Sequence, residues 1–237
     1  MKNMDCDKFQ INRYILSEVP PTIYYIRDFI TEGEEELLIR KVDNAPKPKW
    51  TTLSNRRLQN WGGLPHPKGM VVEPMPNWLQ IYSKKIAELG VFEDKVPNHV
   101  LVNEYLPGQG IMPHEDGPLF YPTITTINLG SHTILNYYHK IKEEDSSNNE
   151  KEETNSNRLL ASVLLEPRSL LVVKDDMYHK YLHGIDEKVE DEINNNIVNI
   201  RDHLSNYPSN LKRNRRISLT YRYVPKFIKT KLFSKLY

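Results

Sequence analysis

The chain has 237 residues and a formal charge of +1, from 32 Lys and Arg against 31 Asp and Glu, so any binding to nucleic acid or acidic membrane requires a local patch. Cys6 is the only cysteine, which excludes an intramolecular disulfide framework and zinc sites built from several thiolates. Because no apolar run is long enough to cross a bilayer and the N-terminus lacks a signal peptide's apolar core, we expect a protein of the nucleus and cytoplasm without a membrane partner. We also expect a monomer.

The N-terminal part of the chain predicts a strand and two helices. Residues 22–30 are rich in β-branched and aromatic types, and Thr31 and Glu34 then stand at the spacing of a capping box, which starts a helix. A second helix is predicted over residues 76–90, where apolar residues recur every three or four positions. Its apolar positions are Trp78, Leu79, Tyr82, Ile86 and Leu89. We interpret residues 1–95 as a helical and lid extension that is integral to the domain.

From residue 99 onward the pattern changes to short β-prone runs separated by Gly, Pro, Asn and acidic clusters. We predict a β-rich core over residues 96–226 and a C-terminal tail over 227–237. The predicted strands contain the sequences HVLVNEYL, TITTINLG, HTILNYYH, LASVLLE, SLLVVK and RRISLTYRYV.

Two polar insertions interrupt the predicted core. Residues 143–157 are acidic and contain no aromatic residue, so they cannot bury enough apolar surface to offset the cost of ordering, and we expect a solvated loop between two strands. Residues 187–210 place several apolar residues on one helical face amid Asn and Asp, which predicts a short helix within a longer insertion. The residues of that face are Val189, Ile193, Ile197, Ile200 and Leu204.

The segment GIMPHEDGPL, residues 110–119, places His114 and Asp116 two positions apart. If the segment enters or leaves a strand, the imidazole and the carboxylate point to the same side and converge. Such a pair, together with a distant histidine, is the ligand set of non-haem Fe(II) oxygenases, which leaves positions on the metal open for cosubstrate and dioxygen. Taken alone, the pair is explained better as polar residues of a surface loop, so other motifs are needed.

The C-terminal strand predicted from RISLTYR carries Arg216 and Arg222 on one face, together with two hydroxyl side chains. An arginine in that position can hold a carboxylate through two parallel hydrogen bonds, and 2-oxoglutarate has a carboxylate at each end. Asn103 and Tyr105, also two positions apart, can offer an amide and a phenol to the same cosubstrate. The alternative interpretations are an exposed basic edge strand and ordinary polar residues of a strand.

The order of these motifs resembles that of the AlkB family of Fe(II)/2-oxoglutarate-dependent dioxygenases. Asn-x-Tyr is followed by His-x-Asp, then by a lone HGI at residues 183–185, and finally by Arg-x5-Arg. The resemblance covers most of residues 45–185 and returns at 215–226. It lapses in the two polar insertions and at the extreme termini.

The resemblance implies an Fe(II) site with 2-oxoglutarate and dioxygen as cosubstrates. The implied metal ligands are His114, Asp116 and His183. The implied 2-oxoglutarate ligands are Asn103, Tyr105, Arg216 at the distal carboxylate, and Arg222 near the metal-proximal end. The implied fold is an α+β chain with a double-stranded β-helix (jelly-roll) core and N-terminal helices packed on one sheet, in which strands distant in sequence meet at one metal.

Two histidines compete for the third metal position. His179 and His183 are four residues apart in MYHKYLHGI, so both face the same way on a strand, and strand periodicity cannot distinguish them. The family places a glycine directly after the ligand, which favours His183. The remaining histidines are interpreted as structural or exposed; they are His66, His99, His132, His139 and His203.

Residues 47–63, KPKWTTLSNRRLQNWGG, mix cations with flat aromatic rings. Such a mixture suits phosphates and unstacked bases, and the segment is similar to the lid with which AlkB-type enzymes hold a nucleotide. The candidate substrate residues are Trp50, Arg56, Arg57 and Trp61. A loop that packs two tryptophans beneath a solvated basic rim explains the same pattern equally well.

Three functional hypotheses follow from these motifs. The first is a dioxygenase that hydroxylates an N-alkyl group on single-stranded nucleic acid or a flipped base, so that the alkyl group leaves as an aldehyde. The second keeps the chemistry and acts on a protein side chain. The third is a nucleic-acid-binding protein on the same scaffold with weak or no turnover, which the intact set of candidate ligands disfavours.

Overall fold

Two antiparallel β-sheets face each other and enclose an apolar interior. The protein is described by a computed structural model over residues 10–141 and 155–228. The larger sheet has seven strands in the order β1 (Ile23–Ile26), β11 (Leu170–Lys174), β8 (Thr123–Leu129), β15 (Arg216–Arg222), β6 (His99–Tyr105), β3 (Arg56–Trp61) and β2 (Thr51–Leu53). The smaller sheet has four strands in the order β10 (Leu159–Leu165), β9 (Thr133–His139), β12 (Tyr181–Ile185) and β7 (Ile111–His114).

Strands distant in sequence are neighbours in both sheets, which confirms the predicted jelly-roll core. Two small sheets hold the other strands of the described residues. One contains β4 (Gly63–His66), β5 (Gly69–Val72) and β16 (Phe227–Ile228). The other contains β13 (Glu190–Glu192) and β14 (Asn210–Lys212).

Two helices cover the outer face of the larger sheet, as the sequence predicts. Helix α1 (Glu32–Asp43) begins at Thr31, whose side chain accepts a hydrogen bond from the backbone N–H of Glu34 while the Glu34 carboxylate accepts one from the backbone N–H of Thr31. Helix α2 (Asn77–Ala87) follows Pro76. One buried cluster joins the helices to outward-facing strand residues, and it includes Leu38, Val42, Leu79, Tyr82, Ile86, Ile217, Leu219 and Tyr221.

The remaining helical segments are short. Within the described ranges they are α3 (Asn155–Arg158), α4 (Asp175–His179) and the 3-10 turns Ile11–Tyr14, Lys47–Lys49 and Val198–Asn206. Throughout residues 10–141 and 155–228, no helix combines the length and apolar character needed to span a bilayer.

The N-terminal part of the chain also supplies both edges of the larger sheet. Strand β1 pairs with β11, from Ile23 opposite Val173 to Ile26 opposite Leu170. At the other edge β2 and β3 form a hairpin, and β3 pairs with β6. The residues before position 96 therefore contribute three strands to the sheet that carries the candidate cosubstrate ligands.

Of the two polar insertions, the second lies within the described residues. The predicted loop at 143–157 lies mostly outside the described residues, and the described part begins again with α3. The short helix expected within 187–210 is present as 3-10 turns over Val198–Asn206, with a kink at His203. It does not cover the whole apolar pattern, because residues 190–192 pair as a strand. The run of three asparagines explains the difference, since Asn194 Oδ1 accepts from the Asn196 backbone N–H at 3.0 Å and favours a turn.

The apolar face predicted for this insertion is only partly correct. Ile197 and Ile200 are buried against Leu164 of β10, with Ile193 and Leu204 packed beside them. Val189 is 63% exposed, because it lies before the strand pair rather than on a helix.

Candidate active site

A cavity of about 300 Å³ lies between the two main sheets. Strand β15 shows how the sequence builds its wall. Arg216, Ser218, Thr220 and Arg222 line the cavity, whereas the apolar residues between them join the cluster beneath the helices. This division into two faces is what a period of two along a strand predicts.

His114, Asp116 and His183 converge at this cavity. His114 and His183 are directly opposite each other in the pairing of β7 with β12, and their ring centroids are 4.4 Å apart. Asp116 lies just beyond the end of β7, and its Oδ2 is 3.6 Å from His183 Nε2. The pairing of β7 with β12 therefore brings together His114 and His183, which are 69 positions apart in the sequence.

Hydrogen bonds fix the state of two of these groups. The Met112 carbonyl accepts a hydrogen bond from His114 Nδ1 at 2.8 Å, so Nδ1 carries the proton and Nε2 is the nitrogen left to act as a ligand. Arg222 Nη2 donates to Asp116 Oδ1. Burial acts to raise the pKa of Asp116, but Arg222 and then the two histidines outweigh it and lower that pKa. Asp116 is therefore ionised.

The electrostatic environment of His183 also favours metal ligation. Burial lowers the pKa of the His183 imidazole, and the opposing attraction of Asp116 is too small to restore it. A neutral imidazole has a lone pair available for a metal, whereas a protonated one does not.

The donor set fits Fe(II), because two imidazoles and one carboxylate are the protein ligands of the non-haem oxygenases. The spacing is looser than in a loaded site: across residues 10–141 and 155–228, no three His, Cys, Asp or Glu side chains are drawn together closely enough to hold a metal as they stand. In this triad Asp116 is instead bonded to Arg222.

Arg216 is a buried cation, only 4% exposed, and no acidic partner is found for it among the described residues. Its Nη2 donates to Asn128 Oδ1 at 2.6 Å, while its Nε is buried without a hydrogen-bond partner. Burial lowers the pKa of the guanidinium to about 10. Since burying an unpaired charge is costly, an anionic group in the cavity would stabilise this arrangement.

The other two predicted cosubstrate ligands stand beside the arginines in strand register. Tyr105 is directly opposite Arg216, and Asn103 is directly opposite Ser218. The Arg216 guanidinium lies 5.6 Å from the centre of the Tyr105 ring. All four residues predicted to hold 2-oxoglutarate thus line one cavity.

The predicted substrate residues separate onto two faces of the β2–β3 hairpin. Arg56 lines the cavity, and its Nε donates to Asn103 Oδ1 at 3.2 Å. Arg57, the next residue, points to the opposite face and pairs with Glu104. Adjacent residues of a strand cannot share a face, so only one of these two arginines can reach the cavity.

Trp50 and Trp61 also lie on the outer side, packed against the cluster beneath the helices. The Trp50 ring lies 4.0 Å from the Arg57 guanidinium. Trp61 donates its indole N–H to Gln59 Oε1 at 2.8 Å and meets Trp78 edge-on, with ring centroids 5.8 Å apart. These contacts agree with the packing interpretation of the segment, and the structure does not bring the two tryptophans to the cavity.

The structure distinguishes the two competing histidines. His179 is the last residue of α4 and is exposed, whereas His183 lies on β12 and lines the cavity. Strand periodicity gave both histidines the same direction, but the two do not lie on one strand, because α4 ends at His179 and β12 begins at Tyr181. Of the remaining histidines, only His99 is fully buried, with Nε2 at 3.1 Å from Asn60 Oδ1.

Three residues at the site were missed by the sequence analysis. Asn128 holds Arg216, and its amide donates to Ser169 Oγ at 3.1 Å; its only signal was an amide side chain in β8, a strand whose other polar residues are threonines. Phe120 lies with its ring centre 4.6 Å from the Arg222 guanidinium, and nothing in the sequence but its nearness to the His-x-Asp motif pointed to it. Tyr137 lines the cavity from β9 and was counted only as a strand residue.

This chain is similar to known proteins over most of its length. Residues 13–222 match the 2OG-Fe(II) oxygenase superfamily. A zebrafish (Danio rerio) protein named "Probable RNA/DNA demethylase ALKBH6" is 52% identical over 233 residues, which is 98% of each chain. The "Uncharacterized protein L905" of Acanthamoeba polyphaga mimivirus is 29% identical over 210 residues, covering 85% of this chain and 84% of the viral protein.

Solved structures share the fold at low sequence identity. The structure of OsALKBH1 superposes with a TM-score of 0.58 at 13% identity and covers 86% of this chain and 98% of its own. A Pseudomonas putida prolyl-4-hydroxylase gives a TM-score of 0.51 at 10% identity, covering 86% of this chain and 92% of its own. Both likenesses support the arrangement of the two sheets.

Proposed function

Because the chain belongs to the AlkB family within the 2OG-Fe(II) oxygenase superfamily, we propose that it oxidatively removes an alkyl group from a nitrogen atom of a nucleic acid. The observation that carries the proposal is one cavity shared by two imidazoles, an ionised carboxylate and a buried arginine without an acidic partner among the described residues. The first three groups suit a divalent metal, and the arginine suits the carboxylate of a cosubstrate.

His114, Asp116 and His183 would hold Fe(II), with the proton on His114 Nδ1 directed to the Met112 carbonyl. Arg222 helps to keep Asp116 ionised and therefore anionic. We assign Arg216 to the distal carboxylate of 2-oxoglutarate, since its burial leaves it in need of an anion, and Arg222 to the metal-proximal end, since it is bonded to Asp116.

When bound, Fe(II) and 2-oxoglutarate supply the reductive activation of dioxygen: one oxygen atom enters 2-oxoglutarate, which loses carbon dioxide to give succinate, and the other hydroxylates the alkyl carbon. The hydroxylated carbon then leaves as an aldehyde, and the nitrogen takes up a proton. The cavity walls contribute by surrounding the site with apolar side chains, among them Leu135, Leu171 and Met177, which exclude water from the reacting groups.

A nucleic acid as substrate is supported by two observations. The zebrafish relative, which covers nearly the whole chain, is named as a probable RNA/DNA demethylase. Arg56 also places a cation on the wall of the cavity, where it can contact a phosphate or a base edge.

The test is turnover with defined substrates. The protein is loaded with Fe(II) under anaerobic conditions and then mixed with 2-oxoglutarate and dioxygen. Each reaction also contains one candidate substrate: N-methylated single-stranded DNA, N-methylated RNA or a methylated peptide. Succinate and formaldehyde are measured. We expect an N-methylated oligonucleotide to raise both products in equal amounts, and its unmodified counterpart to raise neither. If only the methylated peptides raise succinate and formaldehyde, the substrate is a protein and not a nucleic acid.

A further inference from the structure

Tyr137 is an aromatic residue in the middle of β9, where it lies opposite Ala161 of β10 and His183 of β12. Its side chain enters the cavity and is 1% exposed. Its ring centroid is 6.3 Å from that of His183. The hydroxyl is buried and has no hydrogen-bond partner among the described residues.

A buried hydroxyl without a partner destabilises the protein, because the group has lost its hydrogen bonds to water and gained none. Two other atoms on the walls of the same cavity share this condition, Nε of Arg216 and Nε of Arg222. Both nitrogens can only donate, and a phenol donates readily. The three groups therefore match a ligand that offers several acceptor oxygens, as a dicarboxylate does.

A second tyrosine shows that a missing partner alone does not indicate a ligand. The Tyr221 hydroxyl is also buried without a partner among the described residues. Tyr221, however, lies on the outward face of β15, within the apolar cluster beneath the helices. Tyr137 differs from it in pointing into the cavity that holds the candidate metal and cosubstrate ligands.

We propose that the Tyr137 hydroxyl donates a hydrogen bond to a carboxylate oxygen of 2-oxoglutarate. The inference rests on the proposed function, and it adds a ligand from the smaller sheet to the four that the larger sheet supplies. A cosubstrate that forms hydrogen bonds to both sheets has its orientation fixed more firmly than one that is bound by the larger sheet alone.

The test compares Tyr137→Phe with Tyr221→Phe, which removes the same atom from a buried tyrosine outside the cavity. For each Fe(II)-loaded protein, 2-oxoglutarate is titrated by calorimetry without oxygen, and melting temperatures are measured with and without the cosubstrate. We expect Tyr137→Phe to raise the Kd for 2-oxoglutarate by about tenfold or more, because a hydrogen bond to a charged group is lost. We expect Tyr221→Phe to leave the Kd unchanged.

The melting temperatures distinguish ligand contact from a structural role. Without 2-oxoglutarate, Tyr137→Phe should melt at the same temperature as wild type or higher, since an unsatisfied polar group is removed. The rise in melting temperature on adding 2-oxoglutarate should be smaller than in wild type. A hydroxyl with a purely structural role would give the opposite pattern, a lower melting temperature and an unchanged Kd.

The possible failures are separable. Equal affinity of wild type and Tyr137→Phe overturns the inference and leaves the proposed function intact, whereas no binding of 2-oxoglutarate by wild type overturns the proposed function itself. If Tyr137→Phe melts at a lower temperature than wild type, the 2-oxoglutarate titration is repeated with Tyr137→Met, which lacks the same hydroxyl and has a smaller side chain. Loss of the fold in both variants would show that the hydroxyl has a structural partner and would also overturn the inference.

Discussion

Arg222 Nη2 donates a hydrogen bond to Asp116 Oδ1, and the two side chains are only 11% and 6% exposed. A candidate cosubstrate ligand and a candidate metal ligand are thus bonded directly to each other. Because each side chain is the charge partner of the other, a change at one alters the environment of the other. We therefore expect metal binding and cosubstrate binding to be coupled in this protein.

Asp116→Ala is expected to abolish stable Fe(II) binding, since it removes the only carboxylate of the triad. Iron per chain is measured after anaerobic loading and desalting. Asp176→Ala is the matched control, because Asp176 is an aspartate outside the cavity that pairs with Lys180 at 2.8 Å. Full iron occupancy in Asp116→Ala would show that the triad is assigned wrongly.

Arg216→Ala is expected to weaken 2-oxoglutarate binding much more than iron binding. The lost charge-assisted hydrogen bonds correspond to roughly 1.5 to 3 kcal/mol or more, and calorimetry separates the two ligands. Arg215→Ala is the control: this neighbouring arginine points outward and bonds to Glu104 at 2.5 Å, so its loss should lower the melting temperature and leave the affinity for 2-oxoglutarate unchanged. Equal affinity of Arg216→Ala and wild type would place the carboxylate site elsewhere.

His183→Ala is expected to abolish iron binding, whereas His179→Ala should retain it. The two histidines are close in sequence, but His179 is exposed at the end of α4 and only His183 lines the cavity. Metal analysis and the anaerobic 2-oxoglutarate titration are made on both variants. The reverse result would move the third ligand to His179.

Arg56→Ala and Arg57→Ala are expected to act on different properties. If Arg56 contacts a phosphate, its removal should weaken binding of a single-stranded oligonucleotide and reduce the slope of log affinity against log salt by about one. Arg57→Ala should instead lower the melting temperature, because Arg57 pairs with Glu104 and packs on Trp50. Wild-type protein that binds no oligonucleotide in a salt-dependent manner would argue against a nucleic-acid substrate.

Trp61→Ala belongs to the same comparison and should resemble Arg57→Ala, since Trp61 packs on Trp78 and bonds to Gln59. If Trp61 stacked on a base, its replacement by alanine would instead weaken oligonucleotide binding by about 1 to 3 kcal/mol at any salt concentration. Affinity and melting temperature measured on the same preparation distinguish these outcomes.

We expect His99 to make the folded protein less stable in acid. Burial, with a smaller effect of Arg222, lowers the pKa of His99 to about 3, below the value of roughly 6.5 for an unfolded histidine. The unfolded chain therefore takes up a proton before the folded one. The contribution of His99 to stability is complete above the unfolded pKa and is lost progressively as the pH falls from that value toward 3.

The measurement is the free energy of unfolding of metal-free protein between pH 7 and 4. His183 also has a lowered pKa and contributes in the same range, so the informative quantity is the difference between wild type and His99→Asn. Wild type should lose stability more steeply, by up to about 1.4 kcal/mol per pH unit. Parallel curves would show that His99 is protonated in the folded protein.

Periodicity and motif order predicted much of this structure. The alternation along RISLTYR correctly separated the cavity-lining residues from the apolar ones, and the capping box correctly placed the start of α1. These features were readable because they depend on local geometry, on the spacing of side chains along one strand or one helical turn.

Features that depend on which strands pair were not readable from one sequence. Adjacent Arg56 and Arg57 had to face opposite ways, but only the pairing of β3 with β6 shows that Arg56 is the one that faces the cavity. The bond from Arg216 to Asn128 joins two strands 88 positions apart. Tyr137 had no distinguishing signal, because an aromatic residue in a strand is ordinary until its surroundings are known.

The pairing of β1 with β11 limits how this enzyme can be shortened. Ile23, Tyr24, Tyr25 and Ile26 are all buried, although they lie far from the candidate ligands in sequence. A fragment starting at residue 96 would keep the pairing of β11 with β8, but it would leave the backbone N–H and C=O groups of β11 that face β1 unpaired and the apolar outer surface of the sheet uncovered. Open edges of this kind recruit strands from other molecules, so such a fragment would self-associate instead of yielding a minimal catalytic unit.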